Sequence, residues 1–380
     1  LFVLLAPLAA RRSRDLRTFA LRGAWATALI MPFYLLVPLI SEAKPVPGDG
    51  LWQVLMRWER VGDTPVTALP ALHRVWACMA AAVYATAYPR WRMVFRAVAL
   101  AIAVSCVTTG MHAALDVVAG FAAYGLLVRD RAIGRRCLRW AEYVANSWRE
   151  VSLGPVRLLS HGLYAGAGVI AGLAIAVSLE GTAQLGWLAA VAIATTIGAG
   201  AWAQLVEGSP QLLRPYGYFG GIAGGGAVAV VAGLVGADGW TILAATAVGS
   251  SVTQAIGRLR CLVQGCCHGR PAPEALGIRY QHPRSRVVRL AGLGGTPVYP
   301  TPLYSLLWML AVAAMLWRLW MLAAPPPLIA GCYLILAGAG RFVEEHFRGE
   351  PQTAEYFGLR LYQWLAIAFV VGGAALTGLH

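Results

Sequence analysis

Charge is what this sequence has least of. Only 13% of its 380 residues are Asp, Glu, Lys or Arg, about half the share of an ordinary soluble domain. Hydrophobic residues make up 58%. A chain so poor in charge cannot clothe a water-facing surface, which argues against a soluble globular protein. Acidic residues are the scarcer sign, 17 against 31 Lys and Arg, for a net charge of +14. That surplus is no sign of nucleic-acid binding. The basic residues form short clusters between apolar runs, as the positive-inside rule leads one to expect, and no basic–aromatic stripe appears. The seven cysteines are odd in number and scattered, which argues against a disulfide framework. No internal repeat relates the two halves. The chain opens in Leu-Phe-Val-Leu-Leu-Ala-Pro without an initiator methionine, so a preceding segment is expected, and no cleavable signal peptide is visible.

Apolar runs are what remain. They recur at 1–9, 23–40, 72–88, 94–109 and 111–128, and again at 159–178, 184–206, 218–236, 240–256, 302–323, 327–340 and 357–378. Their lengths predict an all-α, polytopic integral membrane protein of about eleven to twelve transmembrane helices in two helical domains. Arg11, Arg12, Arg14, Arg17 and Arg22 mark an inner face. The loop 41–69, with one more acid than base, is placed outside. Residues 129–157 carry seven arginines and no membrane-length run. They are expected to be a basic cytoplasmic linker containing an interfacial helix, between a domain at 1–128 and one at 158–380. Tryptophans such as Trp308, Trp317 and Trp320 suit the membrane interface.

Chemistry concentrates between Gly257 and Pro271, where three arginines, three cysteines, one histidine and three glycines occur in fifteen residues. Charge at the mouth of a membrane helix is costly and so is usually functional. The glycines permit close backbone approach, and the arginines offer planar forks suited to phosphate. The same composition also fits a basic loop anchoring a helix to anionic headgroups. Further on, Arg341, Glu345 and Arg348 share one helix face, pointing to a common site or to a pair that neutralises a buried helix end. Cys261, Cys266, Cys267 and His268 lack a Cys-x2-Cys pair, and metal ligation is not expected from that spacing. No cofactor is expected either.

In the first half, Pro70-Ala71-Leu72-His73 precedes one run, and Gly110-Met111-His112-Ala113-Ala114-Leu115-Asp116-Val117-Val118-Ala119-Gly120 opens another. His112 and Asp116 are four apart, so a carboxylate can orient an imidazole, and Gly120 leaves room one turn further. His73 and His112 fall at the same membrane face by charge counting. Two such histidines suit phosphoryl transfer, one attacking phosphorus and the other protonating the leaving oxygen.

Three blocks of the second half resemble the prolipoprotein diacylglyceryl transferase family, in particular its Gly-Cys-Cys branch. Gly257-Arg258 through Gly269-Arg270 resembles the family signature. Tyr299-Pro300-Thr301-Pro302-Leu303-Tyr304 is similar to its His-Pro-Ser-Gln-Leu-Tyr segment, and Arg341 through Pro351 to its Arg-Phe-x-x-Glu-x-x-Arg element. The resemblance implies a multi-pass bacterial inner-membrane enzyme that moves a diacylglyceryl group from phosphatidylglycerol to a cysteine thiol of a lipoprotein precursor. It implies that Arg258 and Arg341 hold phosphate, and that Gly265, Gly269, Arg270, Tyr304 and Arg348 contact substrate. The chain departs from the family at Cys261 (usually asparagine), at Cys266 (often a carboxylate) and at Phe219-Gly220-Gly221, which aligns with a His-Gly-Gly segment. A base must then come from elsewhere, with Glu345 and His268 the nearest. Counting spans from the linker puts Arg258 and Arg341 inside, whereas the family works at the outer face, so the face stays open.

The first half resembles the type 2 phosphatidic acid phosphatase superfamily, especially its inositolphosphotransferase-like branch. The resemblance implies His112 as nucleophile, Asp116 as its orienter and His73 as acid. Ala71 replaces the usual serine, Cys106 a phosphate-binding arginine, and no Lys-x6-Arg-Pro element is present. A lipid phosphatase or phosphotransferase, a scaffold, and a non-catalytic lipid-binding or transporter-like protein are the other readings.

Overall fold

The structure is a computed structural model describing residues 1–36, 48–61, 70–108, 113–206, 208, 216–349 and 353–379. It divides into two compact units, Leu1–Gly134 and Arg135–His380.

The first unit holds α1 (Ala6–Ala9), α2 (Ser13–Leu36), α3 (Leu51–Val61), α4 (Leu72–Ala87), α5 (Arg92–Thr108) and α6 (Ala114–Val128). Helix α2 starts ten residues before the apolar run expected at Gly23, because the arginine cluster continues the helix rather than preceding it. Helix α3 lies where a loop was expected. Buried Phe19, Ala26, Ile30, Val75 and Met79 form the core on which α2 and α4 meet.

Helix α7 (Asp130–Ala145) straddles the division. The hairpin β1 (Glu150–Leu153)–β2 (Val156–Leu159) follows, so the segment expected to hold a helix holds one and adds a hairpin that the sequence reading did not include. From Arg135 the chain belongs to the second unit, and side chains at and just past the end of α7 tie it to the segment around Arg279. Asn146 Nδ2 donates to the Arg279 carbonyl at 2.9 Å, and its Oδ1 accepts from Gln281 N–H at 2.7 Å. Glu142 accepts from Arg279 N–H at 3.0 Å.

The rest of the second unit is α8 (Ser160–Glu180), α9 (Leu185–Leu205), α10 (Tyr218–Leu234), α11 (Gly239–Gln264), β3 (Ile278–Arg279), α12 (Arg286–Arg289), β4 (Pro297–Val298), α13 (Thr301–Met321), α14 (Pro326–Phe347), β5 (Glu355–Tyr356), β6 (Leu359–Arg360) and α15 (Leu361–Leu376). Helices stand at all seven apolar runs read there. Among the described residues, five helical stretches are long and apolar enough to cross a membrane: Pro89–Thr108, Ser160–Glu180, Thr182–Leu205, Thr301–Met321 and Pro326–Phe347. Their outward faces keep large apolar side chains uncovered, Leu163, Ile170 and Ile197 among them, as lipid contact requires.

Close helix crossings use small residues. A Cβ on Gly331 of α14 would lie 2.6 Å from the Gly373 carbonyl of α15, and the reverse contact is equally tight. Such a crossing gains van der Waals contact that larger residues would prevent. Helices α8 and α11 meet in the same manner at Gly172 and Gly249. The fold is all-α in its main elements, and among the described residues three short antiparallel strand pairs join helix ends.

Candidate functional site

Helix α11 does not stop where its apolar run stops. It continues through Arg258 and Cys261 to Gln264, so these residues are helical and not part of a juxtamembrane loop. Gly265 ends it at φ +72°, with its N–H bonded to the Cys261 carbonyl at 2.8 Å. That left-handed cap suits glycine, and a Cβ there would also meet Ser285 Oγ at 2.6 Å. The turn brings Cys266 and Cys267 back beside Cys261, and the three sulfurs lie within 4.8 Å of one another. Hydrogen bonding with the Cys261 and Cys266 thiols, helped by the Arg348 and Arg258 charges, holds the Cys267 thiol well below the usual range.

Beyond the turn, the chain runs along the end of α14. Gly269 N–H donates to Tyr299 O at 2.9 Å, Arg270 N–H to Phe347 O at 2.9 Å, and Gly349 N–H to His268 O at 3.1 Å. Backbone lies so close here that a Cβ on Gly269 would come within 2.6 Å of Tyr299 O.

This clamp holds the ends of α11 and α14 together, and a buried charge network joins their side chains. Arg258 grips Glu344 at two points, Nη1 to Oε1 at 3.0 Å and Nη2 to Oε2 at 2.9 Å. Arg341 Nη1 reaches the same Oε1 at 3.1 Å, and the Ser305 hydroxyl donates to Oε2 at 2.7 Å. Glu345, fully buried, is bracketed by Arg341 at 3.0 Å, Arg348 at 3.5 Å and Arg360 at 3.3 Å. Four guanidinium groups thus face two carboxylates, a surplus of positive charge away from bulk water. The Arg341 guanidinium also lies 4.9 Å over the Tyr362 ring.

A cavity of about 450 Å³ opens onto this network. Arg258, Arg341 and Arg348 line it, while Glu344 and Glu345 stand behind them. The three cysteines share the wall with Tyr218, Tyr333 and Gln254. Gln254 Nε2 donates to Tyr333 Oη at 2.6 Å. The volume falls in the range of small-molecule sites, and its chemistry is that of a cationic, thiol-bearing pocket.

The sequence model of the prolipoprotein diacylglyceryl transferases matches residues 150–379. The chain belongs to the prolipoprotein diacylglyceryl transferase family. It is 24% identical over 186 residues to phosphatidylglycerol–prolipoprotein diacylglyceryl transferase 2 of Clostridium perfringens, covering 47% of this chain and 69% of that one. It is 26% identical over 102 residues to the phosphatidylglycerol–prolipoprotein diacylglyceryl transferase of Clostridium tetani, covering 27% of this chain and 39% of that one. The family match begins at Glu150, at the β1–β2 hairpin.

Of the residues read from the transferase motifs, Arg258, Arg341 and Arg348 meet at the cavity. Glu345 lies behind them, its carboxylate taken up by guanidinium groups. His268 is 98% buried and bonds through Nδ1 to the Gly265 carbonyl at 2.9 Å, outside the described cavity lining. Gly265 and Gly269 serve the turn and the clamp. Arg270 is exposed and lies 5.7 Å over the Phe347 ring, and Tyr304 is 40% exposed. Neither lines the cavity. Phe219 packs into an aromatic cluster with Tyr362 and Phe369.

Sequence reasoning missed Glu344, Ser305, Arg360 and the convergence of the cysteines. The Arg341–Glu344 spacing of three was the signal available for Glu344.

In the first unit, His112 lies outside the described residues. Asp116 is buried and accepts from Ala113 N–H at 2.8 Å, capping α6. Its carbonyl accepts from Ala71 N–H at 3.0 Å, which ties the His73 segment to the start of α6. The room at Gly120 is filled by that segment, since a Cβ there would meet Ala71 O and Arg74 Cβ, each at 2.9 Å.

Proposed function

We propose that the second unit moves a diacylglyceryl group from phosphatidylglycerol to a cysteine thiol of a lipoprotein precursor at the bacterial inner membrane. The observation that carries this reading is that Arg258 and Arg341, from separate helices, share Glu344 and line one cavity. Planar guanidinium forks match phosphate oxygens at two points. The carboxylates behind them fix the forks before substrate arrives, and such preorganisation is what stabilises charge developing in a transition state. The acceptor thiol gives up its proton, and the thiolate sulfur attacks the glyceryl carbon and forms the S–C bond. The C–O bond to phosphate breaks, and glycerol phosphate departs with the bonding pair and a dianion's worth of charge for the arginines to hold.

Incubation of the purified chain with labelled phosphatidylglycerol and a peptide bearing a lipobox cysteine tests this by mass. The peptide is expected to gain the diacylglyceryl mass, and Arg258→Ala to abolish the gain. A wild-type chain that leaves the peptide unmodified, with the lipid shown to be bound, defeats the reading.

The hydrogen bond from Ala71 to Asp116 favours a second reading, for the first unit alone. It joins the two segments that carry His73 and Asp116, as a phosphatase-superfamily site requires. Phosphate release from a lipid phosphate, lost in His112→Ala and kept in Arg258→Ala, is the expected result. Release unchanged in His112→Ala excludes it.

A further inference from the structure

The thiol of the acceptor peptide has to lose a proton before it can attack, and this chain holds phenylalanine where its family holds histidine. Glu345 is bound up among three arginines, and His268 is turned to a backbone carbonyl. Three cysteines, by contrast, line the cavity with their sulfurs gathered in one cluster. We propose that Cys261, Cys266 and Cys267 form a three-thiolate site for a soft divalent cation such as zinc, with an open position that receives the acceptor thiol.

The geometry is close to what such an ion requires. Zinc–sulfur bonds of about 2.3 Å around a tetrahedral centre put the sulfurs about 3.8 Å apart. Cys266 Sγ and Cys267 Sγ are 3.7 Å apart, and all three sulfurs fit within 4.8 Å. No disulfide joins them. Gly265, by closing a left-handed turn after the last helical residue, makes one cluster of a Cys-x4-Cys-Cys spacing that shows no metal signature in sequence. Three thiolates with one divalent cation carry one net negative charge. Arg348 and Arg258 line the same cavity as the cysteines and supply positive charge to balance it.

Three protein ligands and a vacant fourth position distinguish catalytic zinc sites from structural ones. The vacancy here would face the cavity, because all three cysteines line it beside the arginines that await phosphate. A thiol that coordinates a divalent cation is deprotonated outright. Its proton passes to solvent on binding, and the coordinated thiolate supplies the electron pair for the S–C bond. The C–O bond to phosphate breaks toward the arginines, and nothing is oxidised or reduced. The acceptor half of this proposal rests on the transferase reading, whereas the metal half stands on the sulfur geometry alone.

The test uses the purified full chain, equilibrated with Zn²⁺ and freed of loose metal, with metal content read by mass spectrometry. Near-stoichiometric zinc is expected. Affinity should fall by at least about tenfold in Cys261→Ser and Cys266→Ser, with Cys332→Ser, remote from the cluster, unchanged. Zinc retention no greater than in the triple serine variant overturns the site. Loading with Co²⁺ supplies a readout independent of variants: near-ultraviolet thiolate-to-cobalt charge transfer that grows when a cysteine peptide is added and not with its serine analogue. Absence of that band also overturns the site. Growth of the band with no lipid transfer keeps the metal site and defeats the transferase reading. Full-rate transfer by chelator-stripped protein keeps the transferase reading and defeats the metal's part in it.

Discussion

Arg258 and Glu344 meet at two points, both contacts at 3.0 Å or less, across the junction of α11 and α14. Each is mostly enclosed, and Glu344 serves Arg341 and Ser305 as well. Removal of one partner from a buried pair leaves the others' charge uncompensated, at about 3–5 kcal/mol. Glu344→Ala is therefore expected to lower thermal stability in detergent by that order and to lose transfer. Serine at position 305 contributes one hydrogen bond, so Ser305→Ala should cost about 1–2 kcal/mol. Equal melting of wild type and Glu344→Ala would show that the pair does not hold the helices.

Arg258→Lys keeps the positive charge and loses the fork. Lysine binds as a point charge and cannot satisfy both carboxylate oxygens in one plane. Transfer is expected to fall by about tenfold or more, with melting disturbed less than in Glu344→Ala. Steady-state kinetics on labelled phosphatidylglycerol would check this, and wild-type rates in Arg258→Lys would remove the planar fork from the account.

Gly257 and Gly269 occupy the same motif and should respond oppositely to alanine. A Cβ at Gly257 meets nothing within 4 Å, whereas one at Gly269 would lie 2.5 Å from Tyr299 Cβ. Gly257→Ala is expected to fold as the wild type does. Gly269→Ala should be destabilised by about 1–3 kcal/mol through overpacking, read by thermal unfolding.

His268 bonds to the turn that closes α11. His268→Ala is thus expected to reduce stability and leave the shape of the pH–rate profile unchanged. A lost limb in that profile would restore it as the general base.

Asp238 caps α11. Its carboxylate accepts from the Thr241 hydroxyl at 2.6 Å and from Thr241 N–H at 3.0 Å. These bonds hold its pKa below the usual carboxylate value. A folded pKa below the unfolded one gives stability that is present at neutral pH and lost as pH falls through the folded value. Asp238→Ala should cost about 1 kcal/mol at neutral pH and progressively less toward strong acid, as measured by unfolding across that range.

Helix positions were legible in the sequence because lipid-facing helices are apolar on all sides, so run length alone locates them. Their ends were less so. The apolar run ends at Ile256, yet α11 persists to Gln264, because the charge of Arg258 is met by a glutamate 86 residues away. A partner that distant leaves no trace in local pattern. Glu345 was legible at a spacing of four from Arg341, but Glu344, three from it, joins more of the network. The cysteines were legible as residues and not as a cluster, because what gathers them is one backbone dihedral at Gly265. In the first half, Gly120 was read as leaving room beside Asp116, but the Ala71–Arg74 segment, distant in the chain pattern, fills that space.

Four arginines set against two glutamates leave the pocket electropositive whether or not lipid is there. An anchor of that kind holds the glycerol phosphate dianion cut free at least as firmly as the singly charged headgroup still attached to its glyceryl chain. Turnover should accordingly be paced by the departure of that fragment, and added glycerol phosphate should compete with the incoming lipid.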